Sequence, residues 1–426
     1  MERVIKKFHF YILSMIAAAT GLWTCMQINV QADEPVIVVI DPGHGGENLG
    51  AEYDEYTEKD MTLIVARAMK EELEKYDDII VYLTHDSDVD MSIKDRALFA
   101  KERNADFLFC LHFNSSVNHN LYGAEVWVSA FGDYYIKGRQ FAEISMDIFE
   151  DMGLYSRGIK TRLNDKEENY YGILRYCTEE GIPAALIEHC HLDQENDKPF
   201  YQQSEEQLEE FGRKDAEAAA KYLGLKSAQT GVDYSDFPKA DVPFQEIVRP
   251  DRSEPEVCEI EILDIDEESG TATISMHAED SESYILYYSY SLDGGYTYTE
   301  LFSWPRPVWN QSEPMCIFDI QLPFDKGIEL RAIAYNGFDV VSESNIIDIP
   351  PIAEPKPSEE PEMEDENIEY EDLQEFIFDD IEDSADTQET TWLIVFILII
   401  SLIMAVVFFA MIRMLFKLKR YSKRRR

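Results

Sequence analysis

Val36-Ile37-Val38-Val39-Ile40 runs directly into Asp41-Pro42-Gly43-His44-Gly45-Gly46. Five β-branched residues in a row read as a strand buried on both faces, and the Gly/Pro cluster behind it as the turn at its C-terminal end. A helix begins beyond the turn, with Thr57 as N-cap and Met61, Ile64, Val65, Ala68, Leu73 and Tyr76 as its apolar stripe. The alternation continues with strands at 79–84, 107–111, 125–129 and 184–187, and helices at about 92–103, 136–152 and 204–223. Short apolar strands alternating with amphipathic helices predict an α/β domain from about residue 33 to 225, with a twisted, mostly parallel or mixed sheet flanked by helices.

The rest of the chain changes character. Residues 226–255 carry scattered Pro and Asp and little periodicity, and read as a linker. From 256 to 349, alternating segments such as Glu259-Ile260-Glu261-Ile262 and Thr271-Ala272-Thr273-Ile274, with a hairpin at Asp293-Gly294-Gly295 between 286–291 and 296–301, predict an all-β sandwich of immunoglobulin or fibronectin type. Residues 350–391 are rich in Pro, Glu and Asp and read as an extended, self-repelling stalk. Among the cysteines beyond the N-terminal segment, Cys258 and Cys316 share the β domain and are candidates for pairing, while an odd total of five leaves at least one free thiol.

Both ends carry targeting signals. Residues 1–32 pair Arg3, Lys6 and Lys7 with an apolar stretch and a small residue near Ala32, as in a signal peptide or an uncleaved anchor. Residues 392–412 are apolar and uncharged, long enough at about 1.5 Å per residue to cross ~30 Å of hydrocarbon. The basic tail at 413–426 then predicts a cytoplasmic C-terminus, and the expected location is the cell membrane, single-pass, with the folded domains outside. A formal net charge of -46 over 426 residues excludes nucleic acid as a main partner, because a field of that sign repels phosphate.

The chemistry gathers at strand ends, where α/β sheets open their crevices. His44 lies in the glycine-rich turn after the first strand, and His112 ends the strand at 107–111. Glu58 starts the helix behind the turn, a place that the helix dipole favours for any carboxylate. Two imidazoles and one carboxylate from separated segments match the ligand set of a catalytic Zn2+ with one open position, whereas magnesium or calcium prefers oxygen shells. Glu188 ends the apolar strand 184–187, where an acid can move a proton between water and a leaving amine; pairing to Arg175 or a helix terminus is its structural alternative.

Several motifs then recur in a fixed order: Asp41 to Gly46, Thr57-Glu58-Lys59, Arg96 with Asn104-Ala105-Asp106, Leu111-His112-Phe113-Asn114, Gly123-Ala124-Glu125-Val126, Arg157-Gly158-Ile159-Lys160, Ile173-Leu174-Arg175, and Pro183 to Glu188. Over residues 36–223 this set resembles the zinc-dependent N-acetylmuramoyl-L-alanine amidase family. The resemblance implies zinc held by His44, Glu58 and His112, with Glu188 as the catalytic acid. It also implies peptidoglycan as substrate, cut at the amide between the lactyl group of N-acetylmuramic acid and L-alanine.

After Glu188 the chain reads His189-Cys190-His191-Leu192-Asp193, where the family pattern has a Gly-Phe pair and a Ser-Asn or Thr-Asn pair. That departure bears on substrate contacts rather than on the metal, and His189 and His191 are read as non-ligands because alternate residues point different ways. Two other readings remain open, a catalytically inactive wall-binding or signalling module and a zinc peptidase acting on the stem peptide. The released product separates the hydrolases.

Overall fold

The computed structural model describes residues 34–354. The α/β domain is built on a six-stranded sheet of order β4-β1-β5-β8-β6-β7. Its strands are β1 (Val36–Pro42), β4 (Ile79–Leu83), β5 (Phe107–Asn114), β6 (Ala124–Val128), β7 (Ser156–Lys160) and β8 (Ala184–His191). β2 (Glu52–Tyr53) and β3 (Tyr56–Thr57) form a small separate hairpin. Neighbours in the large sheet are parallel except at β6 and β8, which run antiparallel, so the sheet is mixed.

Side-chain alternation divides the core into two layers. Val38, Ile40, Phe107, Phe109, Leu111 and Ile187 face α1 (Glu58–Leu73), α3 (Gly132–Asp151) and α5 (Glu205–Leu223). Val39, Leu108, Cys110, Ala184 and Leu186 face α2 (Ile93–Glu102) and α4 (Gly172–Glu180). Both faces are covered, which is why these strands read as continuous apolar runs. β1, β5 and β8 lie side by side and parallel, and their C-terminal ends share one edge.

Residues 226–255 are laid along the α/β domain. β9 (Lys226–Ser227) pairs with β10 (Val232–Asp233), the Val248 N–H donates to the Ala130 carbonyl, and Ile247 bridges Phe131. Two β-sheets follow. The first joins β11 (Val257–Asp266), β12 (Thr271–Glu279) and β15 (Met315–Gln321). The second joins β13 (Ile285–Ser291), β14 (Phe302–Ser303), β16 (Ile328–Asn336), β17 (Val341–Glu343) and β18 (Ile347–Ile349). The strand expected at 296–301 is absent, and β13 pairs with the short β14 instead. Asp293 explains this, because its carboxylate accepts from the Thr297 N–H and hydroxyl and folds the segment into a turn. Cys258 and Cys316, flanking β12, are both unpaired thiols.

The β domain packs on β7. The Tyr155 hydroxyl donates to the Leu286 carbonyl, the Tyr284 hydroxyl to the Arg157 carbonyl at 3.2 Å, and Trp309 Nε1 to Asp147 at 2.9 Å. Gly158 makes this approach possible: a Cβ there would lie 1.4 Å from the Tyr284 hydroxyl, and its φ of 88° suits glycine.

One expectation is corrected. Among the described residues no helix is long and apolar enough to cross a membrane, so the single-pass membrane location does not stand. The span expected at 392–412, the signal segment 1–32, the tail 413–426 and all but the first residues of the stalk lie outside the described residues.

Candidate metal centre

The tight turn behind β1 is held in place from below. Asp41, at the strand's end, accepts from Thr84 at 2.6 Å and from buried Arg96 at 2.8 Å. The same guanidinium donates to the carbonyls of Pro42 and His44, each at 2.6 Å. It thus clamps a loop in which His44 adopts φ 65°, a left-handed conformation that a non-glycine residue takes only when its surroundings enforce it.

Three of the residues singled out from the sequence converge. His44 Nε2 lies 3.0 Å from Glu58 Oε2, and His112 Nδ1 lies 2.7 Å from Glu58 Oε1. The three ligating atoms all fall within 4.8 Å of one another, and the imidazoles stand nearly perpendicular at 86°. Glu58 is oriented by the Ala51 N–H at 2.8 Å and the Phe113 N–H at 3.1 Å. Gly50 leaves room for this carboxylate, since a Cβ there would stand 2.4 Å from Glu58 Oε2.

Burial works to raise the Glu58 pKa, but hydrogen bonds from His112 and His44, with their charges, outweigh it and hold the carboxyl well below its ordinary range. For His44, burial lowers the pKa, but the hydrogen bond to Glu58, the Glu58 charge and the hydrogen bond to Asn48 together outweigh it and leave the pKa raised. The donor set fits a zinc ion. His44 Nδ1 sits 2.9 Å from Asn48 Oδ1, which also accepts the Gly50 N–H, so the Nδ1 proton is committed and the Nε2 lone pair is left for a cation. Asn48 was not singled out from the sequence; its only signal there is an amide four residues beyond the histidine in the same turn.

Glu188 is the Cα partner of His112 across β5 and β8, so the two side chains share a face of the sheet. Its Oε2 is buried without a hydrogen-bond partner, and burial, with the charges of Glu58 and Glu125, pushes its pKa well above the usual carboxyl value. Arg175 does not pair with it, donating instead to the carbonyls of Asn169 and Tyr170. Glu188 and the three convergent residues line one cavity of about 360 Å³, with Met91, Ile93, Tyr171 and Ile173 as its apolar wall.

The histidines after Glu188 are engaged elsewhere. Strand alternation puts His189 on the Ile187 face of β8, opposite Glu188, among Phe113, Phe149 and Phe211. There its Nε2 meets Asp215 at 2.7 Å and its Nδ1 donates to the His112 carbonyl at 2.9 Å. His191 donates from Nδ1 to the Gly123 carbonyl at 3.1 Å.

Part of the chain is similar to known proteins. Residues 38–221 match the family model described as N-acetylmuramoyl-L-alanine amidase. The chain is 32% identical over 96 residues to the N-acetylmuramoyl-L-alanine amidase AmiC of Escherichia coli O6:H1, across 22% of this chain and 23% of that one. It is 28% identical over 195 residues to the endolysin of Bacillus phage SPP1, across 46% of this chain and 69% of that one. The catalytic domain of CwlV, an amidase from Bacillus (Paenibacillus) polymyxa var. colistinus, superposes with a TM-score of 0.39 at 25% identity, over 45% of this chain and 99% of that one. The chain thus spans about a quarter of AmiC and about two thirds of the phage protein. Residues 38–221, within the α/β domain, thus carry the likeness of this chain to the N-acetylmuramoyl-L-alanine amidase family.

Proposed function

We propose that this protein is a zinc-dependent peptidoglycan amidase that hydrolyses the bond between N-acetylmuramic acid and the L-alanine of the stem peptide. The observation that carries this reading is the convergence of His44, Glu58 and His112 in one cavity with an unpartnered buried carboxyl, Glu188.

His44, Glu58 and His112 would hold the ion. A zinc ion bound there supplies Lewis acidity toward water and the scissile carbonyl. Glu188 accepts the proton that the attacking water loses and passes it to the alanine nitrogen as the C–N bond breaks. Its environment suits both halves of that task, because a carboxyl with a raised proton affinity is a better base when ionised and holds its proton more firmly until the leaving nitrogen takes it. Asn48 and Arg96 keep the His44 loop in its binding conformation. The apolar wall of Ile93, Tyr171 and Ile173 excludes water from one side of the reacting amide.

The test is to incubate the full chain with peptidoglycan, with a chelator and again after zinc is restored, and to identify the new amino termini. Free L-alanine termini that appear only with zinc support the reading. Termini of other residues would indicate a peptidase, and a folded, zinc-loaded protein that releases nothing would indicate a binding module.

A further inference from the structure

Glu125 on β6 stands opposite Glu188 across the antiparallel ladder to β8. Each of its oxygens is doubly engaged. Oε2 accepts from Arg157 Nε and Lys160 Nζ, both at 2.9 Å, and Oε1 accepts from Asn114 Nδ2 and Trp127 Nε1, both at 3.0 Å. Asn114 lines the cavity two residues after His112, so Glu125 ties one wall of the site to the strand beside Glu188.

The charges do not balance within the α/β domain. Arg157 and Lys160 are 2% and 1% exposed, and Glu125 offers them a single negative charge. The second comes from the β domain. Asp339, in the turn between β16 and β17, accepts from Arg157 Nη2 at 3.0 and 2.7 Å and stands 3.3 Å from Lys160 Nζ. Tyr287 of β13 adds a contact at 3.2 Å to Arg157 Nη1. The turn is built for this role: Asn336 Oδ1 accepts the N–H groups of Phe338 and Val340, which holds Asp339 at φ 65°. Without Asp339, a buried unpaired cation would sit next to the hydrolytic carboxyl, an arrangement that relaxes by moving its neighbours.

We infer that Asp339 is a positioning residue for the hydrolytic centre: by closing the Arg157–Lys160–Glu125 network it fixes Asn114 and β6 beside Glu188, making the β domain part of the working enzyme. The inference rests on the amidase reading above. Asp339 acts through Arg157 and Lys160 and does not touch substrate.

The experiment compares the full-length wild type with D339N, D339E and D319N, the last on the exposed outer strand of the β domain. Turnover on soluble peptidoglycan fragments, zinc content and the ¹⁵N-indole N–H resonance of Trp127 are measured for each. D339N is expected to lower kcat about 10- to 100-fold with little change in KM or zinc content, since small misplacements of reacting groups cost that much. The Trp127 resonance should move in D339N, D339E should recover part of the turnover, and D319N should match wild type. D339N with wild-type kcat and an unmoved Trp127 resonance overturns the inference, as does a loss accompanied by zinc release and equal damage to KM. An inactive wild type counts against the amidase reading instead, and the Trp127 resonance then decides the positioning claim alone.

Discussion

Asp41 and Arg96 form a buried ion pair at 2.8 Å beneath the turn that carries His44. The guanidinium also serves the carbonyls of Met91, Pro42 and His44, so one side chain satisfies four acceptors from two segments. Breaking a buried pair costs about 3 to 5 kcal/mol because the remaining charge is stranded. Arg96→Met should therefore destabilise the domain by about that much and weaken zinc binding. Arg96→Lys should restore little, because an ammonium cannot reproduce the planar fork. Denaturant unfolding with parallel zinc titration checks both.

Replacing His112 or Glu58 with alanine should reduce zinc affinity by more than about 100-fold and abolish amide cleavage, since each removes a ligand. Asn48→Ala should have a smaller effect, about 10- to 100-fold on affinity, because it releases the proton on His44 Nδ1 without removing a donor. Equal zinc affinity in N48A and wild type would refute the role given to Asn48.

Glu188→Gln should keep its zinc yet lose about 100- to 10,000-fold in kcat, the range expected for a proton-transfer group. Burial and its acidic neighbours raise the Glu188 pKa, and a base must be ionised to act, so wild-type kcat/KM should fall as pH drops through a value above the usual carboxyl range. A zinc-loaded E188Q with wild-type turnover would dispose of this assignment.

His191 gives a stability prediction away from the metal trio. Burial, with the charge of Arg157, lowers its pKa from 6.5 to about 4, so between those values the folded state binds fewer protons than the unfolded state. Its contribution to stability is whole above pH 6.5 and falls by about 3 kcal/mol as pH drops toward 4. Asp197 works oppositely, since burial raises its pKa from 3.8 to about 6 and its contribution falls as pH rises through that window. The two nearly cancel in wild type. In His191→Asn the amide keeps a donor for Gly123 but cannot titrate, so the variant should gain stability relative to wild type as pH falls from 6.5 to 4. Unfolding curves of the pair across that range provide the check; a constant difference would refute the assignment.

Which residues stand at the sheet's edge was legible in the chain itself, because strand alternation and glycine-bounded turns are local. Val36–Ile40, Phe107–Leu111 and Ala184–Ile187 declare buried strands by composition; His112 and Glu188 directly follow the last two, and His44 lies in the turn after the first. Only the folded arrangement revealed who partners whom. Asn48 on His44, Arg96 under the loop, His189 on Asp215, the strap at 226–255 and the reach of Asp339 into the Glu125 network all join residues far apart in sequence or depend on a side chain's direction. Periodicity carries no information about such pairings. They are set by crossovers, strand register and the docking of one domain on another, where charge balance and close packing apply to the assembled molecule as a whole.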